Sequence, residues 1–549
     1  WWSYFERLEM TEEELRDEDD EAIGGLTPAG PEYPIAKSRG VPMRFPLQSM
    51  KLHVGDVVDP ASERGSEIVE IDADAGTLTL KLGPKAWGDD QPPRSLIPDK
   101  PLQTGVQRAA LRRLAGDVLD RGTGYPASRA LLRRELPRIA GRPDGGALLT
   151  GDYTVEQAVG LATGLDSSML AIQGPPGTGK TYAGGRIAVA LMARGRRVGV
   201  TAPSHKAIHN LLEEIEGIAR SLGVTFKGYK RGEGENAYES PFGGDAIENV
   251  SNAACENAPD DVLLVAGTSW LFAREGMGGT IDTLLVDEAG QVSLADGLAV
   301  GTSCRNLILL GDPQQLAHVA QGGHPEGTAV SALAHVLGGD ATIAPERGLF
   351  INVSRRMHPD VCAFISEISY RSELHSLPEC GRQRVDSAGL SGTGLRWFPV
   401  KHAGNRRESP EEGEVIADQL ALLAGATVTR PDGTAVPVRD AGVMVVTPYN
   451  AQVRLLRERL PDWVEVGTVD KFQGREAAVV FFSMATSSGD DMPRNAEFLY
   501  SRNRLNVAVS RAKCLAVLVA SPDLLTVRCK TVEQMRLVNA LCRFVELAA

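Results

Sequence analysis

The sequence predicts an α/β protein in which two parallel-sheet units stand in tandem, preceded by a small β-barrel and a helical stalk. Three observations carry that prediction. Apolar β-type runs alternate with helical patterns in two successive series, a glycine-rich loop of phosphate-binding type follows the first such run, and a stretch of short alternating segments precedes both. Apolar strands alternating with helices mean a parallel sheet covered on both faces, because each crossover lays a helix on the sheet.

The elements follow in order. Thr11-Glu12-Glu13-Glu14 reads as a capping box opening a short acidic helix, and TPAGPEYP after it should be extended, so residues 1–40 are an acidic helix and linker. Residues 41–100 hold KLHVGDVV, SEIVEID and GTLTLKL, punctuated by turn signals of which DADAG is the clearest, and these predict the barrel. From Gln103 to Ile139 the pattern is helical, and residues 101–150 are expected to form the stalk. Its Arg112, Arg113, Arg129, Arg133 and Arg134 stand beside leucines. A solvated helix face is the ordinary reading of such arginines, and contact with a phosphate backbone is the alternative. The first α/β unit, 151–340, contains SMLAIQG, RRVGVTAP, DVLLVAGT, DTLLVDEAG and RNLILLGD. The second, 341–549, contains AGVMVVTPYN, EVGTVDKFQG, AAVVFFSMA and CLAVLVASP. Arg231–Asp261 is polar and irregular, and is expected to be an insertion or mobile loop.

Composition bounds the function classes. With 549 residues, 42% of them hydrophobic, the chain has core enough for about three or four domains. No run of 18 apolar residues occurs and the first residues lack a basic region followed by an apolar stretch, so neither a membrane partner nor a signal peptide is expected, and a cytoplasmic location is the default. Trp1 rather than Met at the start suggests a piece of something longer. The seven cysteines stand singly, without a CxxC pair, and read as reduced, mostly buried thiols. The net charge of −13 argues superficially against a nucleic-acid partner, but residues 1–25 alone carry −8 of it. A local cationic groove elsewhere is therefore compatible with the total.

The strongest chemical signal is Gly174-Pro175-Pro176-Gly177-Thr178-Gly179-Lys180-Thr181, lying between a predicted strand and a predicted helix. It fits GxxxxGK[ST]: glycines turn backbone N–H groups toward phosphates, the helix N-terminus adds its positive dipole, Lys180 reaches the β- and γ-phosphates, and the Thr181 hydroxyl ligates Mg²⁺. The chain is expected to bind a nucleoside triphosphate. A second apolar strand ends in Asp287-Glu288-Ala289-Gly290, where Asp287 would hold the Mg²⁺ and Glu288 would act as general base. A third ends in Gly311-Asp312-Pro313-Gln314-Gln315, placing the Gln315 amide where it could sense the γ-phosphate. The absence of an NKxD element counts against a GTPase.

With these stretches in hand, the sequence from about Tyr153 to Ser521 resembles the superfamily 1B helicases, in the branch of the nonsense-mediated-decay helicase and the eukaryotic replication nuclease-helicase. The resemblance implies two RecA-like domains that bind ATP between them. It makes Gln157 the glutamine that reads adenine, and Arg356 of SRRMHP and Arg511 of RLNVAVSRA the fingers that cross to the γ-phosphate. Arg355 departs from the family, standing where an aromatic residue commonly stacks on adenine. By the same resemblance Pro203, Ser204 and His205, Thr268, Thr447 and Tyr449, and Thr468 and Gln473 line a single-strand track, with contacts to phosphate and sugar rather than to bases. Ser204 also fits an ordinary helix N-cap, a role compatible with the first. Asp470, Arg475 and Glu476 either couple the track to ATP or only stabilise it.

The expected function is an ATP-dependent helicase or translocase on single-stranded nucleic acid, DNA favoured although the sequence does not choose it over RNA, with 5′-to-3′ polarity implied by the resemblance. The rival is an ATP-dependent clamp that remodels ribonucleoprotein without processive unwinding. The acidic opening also resembles the linker after a RecB-like nuclease in bacterial fusions, which makes a nuclease domain upstream of Trp1 a further expected partner.

Overall fold

The computed structural model describes residues 2–548 apart from 20, 37, 49, 51, 74, 84–91, 100–103, 144, 150, 245, 317–323, 470, 473, 494 and 495. The chain gathers into two compact units, one comprising Gln103–Arg356 and Ile365–Leu377, the other Trp1–Leu102, Met357–Phe364 and Pro378–Ala549.

The first unit is built on one eight-stranded sheet. Its strands are β1 (Met169–Gln173), β2 (Val198–Thr201), β3 (Lys227–Arg231), β4 (Ile247–Val250), β5 (Val262–Ala266), β6 (Ile281–Val286), β7 (Cys304–Gly311) and β8 (Gly348–Phe350). They lie in the order β4-β3-β5-β2-β6-β7-β1-β8, and every neighbouring pair is parallel. The apolar runs fill the middle of the sheet, where both faces are buried: Ile172, Val200 and Leu285 face one core, Leu284, Val286 and Leu309 the other. Helix α1 (Lys180–Met192) follows β1 and helix α2 (His205–Leu222) follows β2.

Three expectations change here. The helices expected as a stalk, Gly105–Leu119 and Pro126–Arg133, belong to this unit's core through Leu114, Ala127, Ala130 and Leu131. Two of their arginines are tied inward, Arg113 donating to the Ala273 carbonyl at 2.8 Å and Arg129 donating to the Gly124 carbonyl at 2.8 Å and pairing with Asp117, while Arg112 and Arg133 are exposed as a solvated helix face would have them. The first sheet also extends past residue 340, because β8 pairs with β1. The polar stretch 231–261 is ordered in part, supplying β4 and the short helix Asn252–Glu256; β4 pairs alongside β3 at the sheet edge, where a polar strand such as IENV needs little apolar cover.

The second unit holds a five-stranded parallel sheet in the order Gly394–Pro399, Ala512–Ala520, Ala477–Ser483, Val443–Thr447, Glu465–Thr468. Helix Pro410–Leu423 is pinned to it by Glu412, which is fully buried. Glu412 accepts from Ser483 Oγ at 2.6 Å and Ala485 N at 2.9 Å, and its other oxygen lies 3.1 Å from His402 Nε2.

The N-terminal segment of this unit forms an antiparallel sheet around Gly55–Asp59, Arg64–Asp72 and Thr77–Leu82, close to the predicted segments. It takes in part of the expected linker, since Ile23–Gly24, Thr27–Pro28 and Tyr33–Ile35 all pair as strands. Its two end strands, Ile23–Gly24 and Thr27–Pro28, do not pair with each other among the described residues, so the sheet is open there. The Thr11 capping box opens helix Glu12–Asp17 as expected. The acids that follow meet arginines of the same unit: Asp17 lies 2.7 Å from Arg454, Glu18 pairs with Arg407, and the Asn450 amide donates to the Arg16 carbonyl at 3.3 Å.

The cysteines are free, five buried and two half-buried. No helix among the described residues is long and apolar enough to cross a membrane.

Candidate nucleotide and nucleic-acid site

The glycine-rich loop runs from the buried end of β1 into α1. Gly179 takes a left-handed conformation at the helix N-cap (φ +83°), and Gly177 (φ +72°) allows a second close approach, since a Cβ there would lie 2.5 Å from Arg356 Cβ. Pro175 and Pro176 carry no N–H, so the loop's amide donors come from the glycines and from residues 178–181. Lys180 Nζ folds back onto the Gly174 carbonyl at 2.6 Å, and Thr178 Oγ1 donates to the Pro175 carbonyl at 2.7 Å. A phosphate would replace a carbonyl as the acceptor of that ammonium.

Arg356 sits in the same unit as the loop, beside it rather than opposite it. The reason is local: Arg355 N donates to the Gly177 carbonyl at 2.8 Å, and the buried Ser354 Oγ donates to the Pro176 carbonyl at 3.2 Å. Arg356 is the last residue of the segment that groups with the loop, and the motif continues into the other unit at Met357. Arg511 does belong to the second unit, where it is 2% exposed and donates from Nη1 to the Arg475 carbonyl at 3.3 Å.

β6 ends in the buried Asp287 and the half-buried Glu288. Burial, together with the charge of Glu288 beside it, raises the Asp287 pKa; the Glu288 N–H, donating to Oδ1 at 2.9 Å, and Lys180 oppose the rise. Glu288 has φ +51°, a conformation that costs a non-glycine residue roughly 1–2 kcal/mol and is stored where structure demands it. Backbone bonds hold this turn, Asp287 N to the Thr201 carbonyl and Ala289 N to the Leu310 carbonyl, both at 2.8 Å.

β7 leads to Asp312, a buried carboxylate on which several donors converge. Tyr370 OH (2.6 Å) and Gln315 Nε2 (3.0 Å) donate to Oδ2; Gln314 N (3.2 Å) and Gln173 Nε2 (3.4 Å) donate to Oδ1. Gln315 is thus held by Asp312. The sequence marks Ser354 only as the first residue of SRRMHP, without a role of its own, and nothing in ISYRSE marks Tyr370. Gln157 forms a capping box with Thr154, its Oε1 accepting from Thr154 N at 3.0 Å.

The expected track residues divide between the units. In the first, Pro203 and Ser204 are exposed, and Ser204 caps α2 by accepting from Ala207 N at 3.2 Å. His205 is half-buried, with Nδ1 3.1 Å from Lys230 Nζ. Thr268 stands at the N-cap position of helix Ser269–Phe272. In the second, Thr447, Tyr449 and Thr468 are buried, and the Tyr449 ring packs 5.8 Å from that of Phe498. A strand would reach them only after neighbouring side chains move. Gln473 and Asp470 lie outside the described residues.

Two family models, both described as AAA domains, match the chain back to back over residues 152–336 and 337–523. The DNA replication ATP-dependent helicase/nuclease JHS1 of Arabidopsis thaliana is 26% identical over 419 residues, 67% of this chain and 29% of its own length. The DNA polymerase alpha-associated DNA helicase A of Schizosaccharomyces pombe is 25% identical over 414 residues, 62% of this chain and 59% of its own. The regulator of nonsense transcripts 1 homolog of Drosophila melanogaster is 24% identical over 462 residues, 74% of this chain and 37% of its own. The chain spans less than two thirds of the length of each. With a nucleotide-binding loop, its paired carboxylates, two parallel-sheet lobes and these relatives, the chain belongs to the superfamily 1 helicases, in the branch that holds the replication helicase/nucleases and the regulators of nonsense transcripts.

Proposed function

We propose that this chain couples ATP hydrolysis to 5′-to-3′ movement along a single strand of nucleic acid, DNA in preference to RNA. The observation that carries the reading is the adjacency of two strand ends. β2 runs into Pro203, Ser204 and His205, and its neighbour β6 runs into Asp287 and Glu288, with Asp287 N bonded to the Thr201 carbonyl at 2.8 Å. Ligands of open α/β sheets bind outside the carboxyl ends of the strands. A change of charge at Asp287 and Glu288 is therefore felt, through one backbone bond, by the segment proposed to grip the strand.

The chain's own groups divide the chemistry. Gln157 contacts adenine, Lys180 and the loop amides hold the phosphates, and Glu288 takes the proton of the attacking water. The Thr181 hydroxyl and the Asp287 carboxylate are hard oxygen donors suited to Mg²⁺, and the raised pKa of Asp287 fits a carboxylate made to face a cation. Bound there, Mg²⁺ would neutralise phosphate charge. Pro203, Ser204, His205 and Thr268 from the first unit, with Thr447, Tyr449, Thr468 and Gln473 from the second, would hold backbone rather than bases, so binding should depend on salt more than on sequence.

The polarity rests on SRRMHP, TVDKFQGRE and RLNVAVSRA read together, and the DNA preference on the relatives named as DNA helicases. ATPase activity is to be measured with single-stranded DNA and RNA side by side, and displacement with partial duplexes tailed on one side. Displacement should require a 5′ tail and vanish in Lys180→Ala. Displacement from 3′ tails alone would overturn the polarity, and stimulated hydrolysis with displacement from neither tail would identify the clamp.

A further inference from the structure

Lysine in a β-strand ordinarily lifts its ammonium into water. Lys230, on β3, is fully buried instead. Its ammonium donates to the Arg231 carbonyl at 2.7 Å and to the Asn236 carbonyl at 3.0 Å, and stands 3.1 Å from His205 Nδ1. An ammonium has three N–H groups and no lone pair, so three acceptors satisfy it and each must accept. His205 Nδ1 is therefore an acceptor. The ring is neutral, and its proton is on Nε2.

The place of this contact matters. Lys230 pairs in register with Ala266 of β5, and Ala266 pairs with Val200 of β2. The carboxyl ends of β3, β5 and β2 thus lie side by side, bringing Lys230 to the edge that carries Thr268, Ser204 and His205. The groups around the imidazole agree with a neutral ring. Lys230 and Arg231 face it from β3, and His209 stands on its own helix with ring centroids 6.2 Å apart; Cys255, from helix Asn252–Glu256, lies near Lys230. Burial first, and then these cations, push the His205 pKa down to about 4. Lys230, lowered to about 8 mainly by burial, keeps its proton at neutral pH.

We propose that Lys230 is a positioning residue of the nucleic-acid track, fixing His205 as an uncharged Nε2–H donor to the backbone of the bound strand. The proposal rests on the reading of His205 as a track residue. Its consequence is a grip that does not vary with pH where an ordinary histidine, titrating near about 6.5, would vary.

The test uses the full chain labelled with ¹⁵N-histidine, its His205 signals identified by their loss in His205→Ala, together with fluorescence-anisotropy binding of an oligo-dT strand. In the wild type, His205 should show the Nε2–H tautomer from about pH 5.5 to 8, and affinity should change by less than about twofold through that part of the range where an ordinary histidine titrates. In Lys230→Met the His205 pKa should rise above its wild-type value while staying below the ordinary value of about 6.5, because burial, the larger cause, remains, and affinity should rise about tenfold as the ring gains its proton and a charged donor meets phosphate. The salt dependence should steepen with it, by close to one further released counterion. His205→Ala should bind about three- to tenfold more weakly at every pH, the loss of one hydrogen bond. A wild-type His205 that carries its proton on Nδ1, or that titrates near about 6.5, would overturn the proposal, and this spectrum decides even if Lys230→Met does not fold. His205→Ala binding as tightly as wild type would overturn the track reading and the proposal with it, while a neutral Nε2–H tautomer in the same sample would show that the Lys230 contact itself stands.

Discussion

Replacing Tyr370 by phenylalanine removes a single oxygen from the core of the nucleotide-binding unit, and its effect can be sized from the structure. The ring is fully buried and packs near Phe350, with centroids 6.1 Å apart, and Phe preserves that packing. What is lost is the shortest of the bonds to Asp312, at 2.6 Å. A hydrogen bond to a carboxylate contributes about 1.5–3 kcal/mol, so Tyr370→Phe should cost roughly 2 kcal/mol and lower the melting temperature of this unit by roughly 4–8 °C. The lost donor and the Gln315 amide share one oxygen of Asp312, so the carboxylate should turn and carry Gln315 with it. Gln315 is expected to act on the γ-phosphate, where charge develops during hydrolysis. kcat should therefore fall about tenfold, with KM for ATP within about threefold, the pattern of an interaction made mainly in the transition state. Steady-state ATPase at saturating oligonucleotide, together with a thermal melt, checks both numbers. A variant with wild-type melting and wild-type kcat would refute the view that Asp312 orders this corner of the site through Tyr370.

Glu288→Gln should still bind ATP but stop hydrolysing it, since an amide cannot accept the proton, whereas Lys180→Ala should lose turnover through the phosphates; nucleotide binding by fluorescence beside phosphate release separates the two. Glu412→Ala should destabilise the second unit by at least about 3 kcal/mol, because Ser483 Oγ, Ala485 N and His402 lose a buried acceptor together, and urea unfolding would report it as a lower midpoint. Asp17→Asn should cost about 1–3 kcal/mol of the N-terminal attachment at pH 7. Burial alone would raise the Asp17 pKa, but Arg16 and Arg454 outweigh it and hold the carboxyl below its usual range. A depressed carboxylate contributes its full stability above the unfolded pKa of about 3.9 and loses it as pH falls through the folded value, so wild type and Asp17→Asn should converge below about pH 4.

What could be read from the sequence was what is written locally. MLAIQ followed by GPPGTGKT carries strand, turn and helix start within thirteen residues, and the structure follows it almost residue for residue. The core strands were legible because strands buried on both faces must be continuously apolar. Lys230 was not, because a lysine in KGYKR reads as solvent-facing until its acceptors, His205 and Asn236, come from elsewhere in the fold. Tyr370 and Asp312 are 58 positions apart and share no motif. Ile23–Gly24 and Thr27–Pro28 are strands of two residues, too short for any period to show. The burial of Thr447 and Tyr449 was equally hidden, since a Thr-Pro-Tyr turn looks the same whether exposed or covered.

The unit that contains the N-terminal sheet is assembled from the two ends of the chain. The Asn450 amide that reaches the Arg16 carbonyl lies 434 residues downstream of it, and Arg407, the partner of Glu18, lies 389 downstream. During synthesis at about 5–20 residues per second, the acidic helix would leave the ribosome roughly 20–90 s before its arginines do. The first unit can fold only late in that interval, since its sheet is complete once residues 348–350 have emerged and Ile365–Leu377 also belong to it. The acidic helix can pack early on the N-terminal sheet, where Leu15 and Ala22 cluster with Val58 and Ile97, but Arg407 and Arg454 reach its carboxylates last.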